Sequence, residues 1–130
     1  MTRINVVPVE ELTNKHLFAE YRELPRAMRR AVLATYKSRR PSDIKIAPAY
    51  LLGTGHELFF IDKCAWLYSR WLQLRNELVA RGYNLGEQFQ TIVRSRARFI
   101  RRHGSQFYGS YQPTADAAII NRQRIQERLT

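Results

Sequence analysis

Two stretches of this chain hold residue types that could do chemistry together: Met1-Thr2-Arg3, and Tyr21-Arg22-Glu23-Leu24-Pro25-Arg26. A small residue after an initiator methionine favours removal of that methionine, which would expose the α-amine of Thr2. An α-amine titrates near ~7.7–8 against ~10.4 for lysine, so far more of it is the free base at neutral pH. Arginines close by lower that value further, because they disfavour the ammonium form. Arg3, Arg22 and Arg26 surround the candidate amine, and Glu23 is the carboxylate among them. An unprotonated amine beside an acid/base group is the equipment for imine formation at a sugar carbon.

These groups need elements to hold them. Apolar spacing predicts a first helix from Val9 or Glu10 toward Tyr36, with Leu17, Tyr21, Leu24, Met28 and Val32 on one face. His16, Glu23 and Arg30 fall on a strip roughly opposite, flanked by Arg22, Arg26 and Arg29. The acid and the arginines therefore face away from the core, side by side. On periodicity alone the same pattern also reads as a solvated face of spaced ion pairs. Pro25 implies a kink or a break into two helices.

Residues 37–52, with Pro41 and Pro48, read as a loop. Thr54 and Glu57 have capping-box spacing and predict the start of a central helix. That helix carries Leu58, Phe59, Ile61, Cys64, Leu67, Trp71, Leu74 and Leu78, and stops at Arg81-Gly82. Trp66 and Trp71 read as core or core edge. A further helix from Glu87 to Arg102 holds Arg94, Arg96, Arg98, Arg101 and Arg102, the densest positive cluster. The loop from Phe107 to Pro113 mixes aromatics with turn residues, and suits either nucleic-acid contact or packing on the core. A last helix from Thr114 to Leu129 places Arg124 and Arg128 one turn apart, and Ile4 to Val9 form an extended lead-in.

The formal charge of +11, from 22 Lys+Arg against 11 Asp+Glu, favours a polyanionic partner, nucleic acid before a membrane surface. Eighteen of the 22 cations are arginine, whose planar two-pronged donor set grips phosphate. The 130 residues and an apolar fraction of 45% fit one domain, 1–130, with a single core. The lone Cys64, in an apolar run, excludes a disulfide framework and reads as a buried inert thiol. That fits an intracellular setting: cytoplasm, nucleoid or an infected host cell. No signal-peptide core and no stretch of ~18 apolar residues is present, so no membrane partner is expected. His16, His56 and His103 lie far apart and form no zinc pattern. No phosphate-cradling glycine loop, nucleophile elbow or two-metal acidic cluster is found. A nucleic-acid enzyme built from this chain would work without metal or cofactor, and amine chemistry is one way to do so.

Three blocks, TRIN at Thr2 to Asn5, HLFAEYRELPR at His16 to Arg26 and GTGHELFFIDK at Gly53 to Lys63, resemble the phage-type pyrimidine-dimer DNA glycosylases/AP lyases. The similarity extends to the GSYQP loop, Gly109 to Pro113, and to the final helix. The resemblance implies an all-α domain of about three main helices, with the N-terminal segment threaded between them. It implies that the Thr2 α-amine attacks the anomeric carbon of a damaged nucleotide, expels the base and leaves a protonated imine. Glu23 would steady the developing charge and move the protons for ring opening and β-elimination. Arg22 and Arg26 match residues that grip the backbone at the lesion, and Arg3 one that supports the site. His16 and Tyr21 match active-site neighbours, and Arg124 and Arg128 match phosphate-binding cations. The implied partner is double-stranded DNA with a lesion or abasic site, bent and with a nucleotide flipped out, bound by a monomer.

The chain also departs from that family. It stops at Thr130, where the phage enzyme continues into an aromatic tail. Lys15 replaces a glutamine and puts a rival amine near the site. The segment from Glu87 to Gly104 is longer and basic, and the Arg94 to Arg102 cluster is expected to hold DNA in place of the tail. The preferred lesion is expected to be a cyclobutane pyrimidine dimer, with a ring-opened purine or a bare abasic site as alternatives. The alternative function is a non-catalytic basic helical nucleic-acid-binding protein. Composition suits it equally, but it gives no reason for keeping Thr2, Glu23 and both helix arginines together.

Overall fold

Residues 3–129 are described by the computed structural model, and among them all regular structure is helical. After a short 3-10 turn at Val9–Glu11, the chain forms α1 (Asn14–Glu23) and α2 (Pro25–Tyr36). Thr13 caps α1, its side chain accepting the His16 backbone N–H. Pro25 breaks the predicted single helix: it has no N–H to donate, so it sits in the first turn of α2. Leu17, Tyr21, Leu24 and Met28 are buried, as their spacing predicts, while Val32 is half-buried.

The predicted capping box at Thr54 and Glu57 is not formed. Gly55, at φ 89°, precedes α3 (His56–Phe59), and no side chain caps it. Glu57 pairs with Arg30 of α2 instead. The central helix is also interrupted, restarting as α4 (Cys64–Ala80). The interruption is where residues 108–109 cross. Lys63 and Tyr108 form an isolated antiparallel bridge, and the Gly109 N–H donates to the Asp62 carbonyl at 3.1 Å. A Cβ at Gly109 would lie 2.5 Å from that carbonyl oxygen, so the crossing needs glycine. Arg81 ends α4 and Gly82 follows at φ 96°, in the predicted place. Then come α5 (Glu87–His103) and α6 (Ala115–Leu129). The all-α expectation holds, with five helices of ten residues or more rather than about three, because Pro25 splits the first and the final two are full-length. No helix among the described residues is long and apolar enough to cross a membrane.

One core joins these helices. Trp71 is fully buried in it, stacked on Tyr21, and Trp66 lies at its edge, stacked on Phe60. Phe107 is buried, and Tyr111 packs edge-on against Phe59, Phe60 and Trp66. Those two aromatics of the Phe107–Pro113 loop thus serve the core.

Residues 4–7 run extended through this helical interior, where no strand can bond their backbone. Side chains take over. The Ile4 N–H donates to His56 Nε2 at 2.8 Å, and the Ile4 carbonyl accepts from the Tyr50 hydroxyl at 3.1 Å. Asn121 Oδ1 accepts from the Val6 and Val7 N–H groups at 2.7 and 3.2 Å. The Val7 carbonyl accepts from the Arg70 guanidinium. Arg70 also forms a two-pronged pair with Glu20, Nε to Oε2 at 2.8 Å and Nη2 to Oε1 at 2.9 Å, with both side chains buried. Arg70→Met would leave the Glu20 carboxylate buried without its counter-charge, and should lower the unfolding free energy by about 3–5 kcal/mol. Urea unfolding measures it; a decrease of about 1 kcal/mol or less would show that the pair is not a main support.

Candidate active site

A cleft of about 410 Å³ opens where α1, α6 and the N-terminal segment meet. Lys15, His16, Ala19 and Glu23 lie at i, i+1, i+4 and i+8 on α1, so the helical repeat brings them to one side. Ile125 and Arg128 of α6 form the facing wall, while Arg3, Asn5 and Glu20 complete the lining. The Glu23 side chain accepts the Arg3 backbone N–H at Oε1, 3.4 Å. Asn5 donates to Glu20 Oε1 at 2.9 Å and accepts from Asn121 at 2.8 Å, locking the inner end of the lining.

The cleft is electropositive. Burial lowers the pKa of the Arg3 guanidinium, Arg128 and Arg124 add repulsion, and Tyr50 and Glu23 pull the other way. His16 is shifted below its ordinary value by burial, then by Lys15 and Arg3. Its Nδ1 is buried with no hydrogen-bond partner. His56, underneath, is held neutral chiefly by burial. Its Nδ1 lies 2.7 Å from the Leu51 carbonyl, so Nδ1 carries the proton and Nε2 is free to accept from Ile4. Among the described residues no three His, Cys, Asp or Glu side chains converge as a metal ion would require.

Of the residues singled out in the sequence, Arg3, His16, Glu23 and Arg128 share the cleft, together with Lys15. Arg124 is close enough to act on Arg3 and is itself ion-paired with Glu127 at 3.2 Å. Arg22 and Arg26 are exposed and outside the lining, and the Arg22 guanidinium stands 5.4 Å over the Phe18 ring. Tyr21 points into the core between Trp71 and Phe89, not into the cleft. That follows from its register with Leu17 and Leu24. Thr2 lies outside the described residues.

Sequence reasoning missed the residues that hold the segment: Asn5, Glu20, Arg70 and Asn121. A signal was present. Glu20 shares the buried stripe of Leu17, Tyr21 and Leu24, and Arg70 that of Leu67, Trp71 and Leu74. A charge on an apolar stripe must find a partner inside.

All-helical, strongly basic and with a cleft where Arg3 and Arg128 flank Glu23 above the buried Glu20, this chain has the build of an enzyme that works on a polyanion. A model of the pyrimidine dimer DNA glycosylase family matches residues 1–91 of the 130, and the chain belongs to that family. It is a DNA repair glycosylase, and its substrate is DNA.

The neutral state of His56 has a measurable consequence. Its folded pKa is depressed, as is that of His16, so the unfolded chain binds these protons more readily. Their contribution is complete above about pH 6.5 and is lost as pH falls through the lower folded values. The melting temperature should drop between about pH 7.5 and pH 5.5, and His56→Gln should start lower and fall less steeply. A wild-type melting temperature flat across that window would contradict the assignment.

Proposed function

We propose that this chain is a bifunctional, metal-independent DNA glycosylase/AP lyase that acts on cyclobutane pyrimidine dimers, with the Thr2 α-amine as nucleophile. The observation that carries the reading is the contact of the Arg3 backbone N–H with Glu23. It fixes the residue next to Thr2 against the carboxylate of the cleft, so the amine of residue 2 is one peptide unit from that point. Removal of Met1 is required, since only then is that amine free.

The amine forms a bond to the sugar C1′ and the C1′–N glycosidic bond breaks, the electron pair leaving with the base. Glu23 offsets the positive charge that develops at C1′. Glu23 passes the proton lost by the attacking nitrogen to the ring oxygen O4′, the C1′–O4′ bond breaks, and the iminium that results has an acidic C2′ proton. Glu23 takes that proton, the 3′ C–O bond breaks, and the strand is cut on the 3′ side of the lesion. Water hydrolyses the imine and restores the amine. Arg3, Arg124 and Arg128 supply the charge that holds phosphates at the cleft, and His16 in its neutral form lines the pocket beside the reacting sugar. Arg22 and Arg26, exposed on neighbouring turns, engage the backbone outside the cleft. A monomer suffices, because every group invoked comes from one chain.

Borohydride trapping on a duplex with one defined dimer, in EDTA, should yield a covalent adduct, and mass spectrometry should place it at Thr2. Glu23→Gln should lower single-turnover cleavage by about 10²–10⁴-fold while lesion binding is retained. An adduct at Lys15, which also lines the cleft, would keep the imine and move the nucleophile. Normal cleavage by Glu23→Gln would refute its role.

A further inference from the structure

A second basic concavity lies away from the cleft, on α5. A groove of about 510 Å³ is lined by Arg94, Arg98, Arg101 and Arg102, with Ala97 as its floor and Tyr68 and Tyr108 as its sides. Positions 94, 98 and 101 stand at i, i+4 and i+7 and so form one stripe. The fifth arginine of the cluster does not join them, because Arg96 turns toward α2 and donates to the Pro25 carbonyl at 3.0 Å. Among the described residues none of the four groove arginines has a carboxylate partner.

Arg101 and Arg102 sit in the last turn of α5, where cations complement the helix dipole. That explanation does not reach Arg94 and Arg98, which are in mid-helix. Like charges one turn apart destabilise a helix. Four unpartnered guanidiniums in about 12 Å of helix axis are therefore a feature that only a counter-charge makes favourable. A duplex supplies it, since about 12 Å of DNA axis carries roughly seven phosphate charges. Arginine forks and tyrosine hydroxyls are both ordinary donors to phosphate oxygens.

We propose that this groove is a second DNA site, which binds the duplex backbone without reading sequence or lesion and sets the non-specific affinity of the protein. It rests on DNA being the substrate and not on the imine mechanism. The experiment is equilibrium binding to undamaged duplex across a salt series, comparing wild type, the Gln and Lys quadruple variants of the four arginines, and Arg96→Gln. The Gln variant should lower the steepness of log K against log salt by about 2–4, at roughly 0.9 for each phosphate it no longer neutralises. Arg98→Gln alone should lower it by about 0.9. The Lys variant, which keeps the charge, should stay near wild type, as should Arg96→Gln. Single-turnover excision at saturating protein should be unchanged in all of them. A Gln variant with the wild-type slope would overturn the proposal, as would an Arg96→Gln drop equal to that of Arg98→Gln. A slope lowered only on single-stranded RNA would overturn it in favour of an RNA site. Failure of the imine mechanism would show as absent trapping on damaged duplex, which leaves the salt slope untouched.

Discussion

The structure depends on holding an extended segment inside a bundle of helices. Backbone N–H and C=O groups of residues 4–7 are buried and have no strand beside them, and an unpaired buried group costs roughly 1–3 kcal/mol. Side chains from α3, α4, α6 and the loop before α3 bond that backbone, and Glu20 of α1 holds the Asn5 side chain. The Glu20–Arg70 pair is the keystone. Desolvating two charges is costly, and their attraction offsets it only when their remaining hydrogen-bonding capacity is used. Here it is used: Glu20 also accepts from Asn5, and Arg70 also donates to Val7. A pair of this kind adds little net stability over an apolar substitute, but it permits one position of the segment. That position delivers Arg3 to Glu23.

The same constraint shapes the electrostatics of the cleft. Arg3 enters beside Glu23 and close to Arg124 and Arg128, so the carboxylate is outnumbered by guanidiniums. A surface of this sign draws in phosphate and opposes the protonation of any amine placed within it. One charge arrangement therefore serves both binding and the proposed nucleophile. His16 belongs to this balance as well, because burial and two cations favour its neutral form, and it adds no further positive charge.

Much of this was legible in the sequence, and the rest was hidden for identifiable reasons. Apolar spacing located the stretch of α1 and α2, and those of α4 and α5, because each buries a stripe whose period is local. The break at Pro25 was legible only as kink or break, since proline fits either. Thr54 and Glu57 have the right spacing for a cap, but Arg30, on another helix, takes Glu57. The interruption at residues 60–63 depends on the crossing chain at 108–109, which no local pattern contains. Tyr21 shows the limit of motif transfer. Its neighbours Arg22 and Glu23 lie outside the core, while its own register puts it against Trp71. The Glu20–Arg70 pair joins residues fifty apart in the chain, and periodicity shows that each is out of place but cannot show that they meet.

A repair enzyme faces two separate demands on affinity, and the charge distribution of this chain answers them in separate places. Recognition of a damaged nucleotide needs a concave site with few, well-placed groups, and extra cations there would hold undamaged DNA at the chemistry. Finding the damage needs an interaction that every stretch of duplex satisfies equally, which backbone charge provides. The cleft between α1 and α6 has the first character: the segment that brings Arg3 to Glu23 is held by the buried hydrogen bonds of Asn5, Glu20, Arg70 and Asn121. The α5 groove has the second, with arginines free of acidic partners on a helix packed against α2 and α4. Affinity of the kind proposed for the groove comes from counterion release and weakens steeply with salt, whereas the geometry of the cleft does not. On the proposed division, the groove's contacts would let the duplex move past the cleft, and a distorted step is where a nucleotide leaves the stack most cheaply.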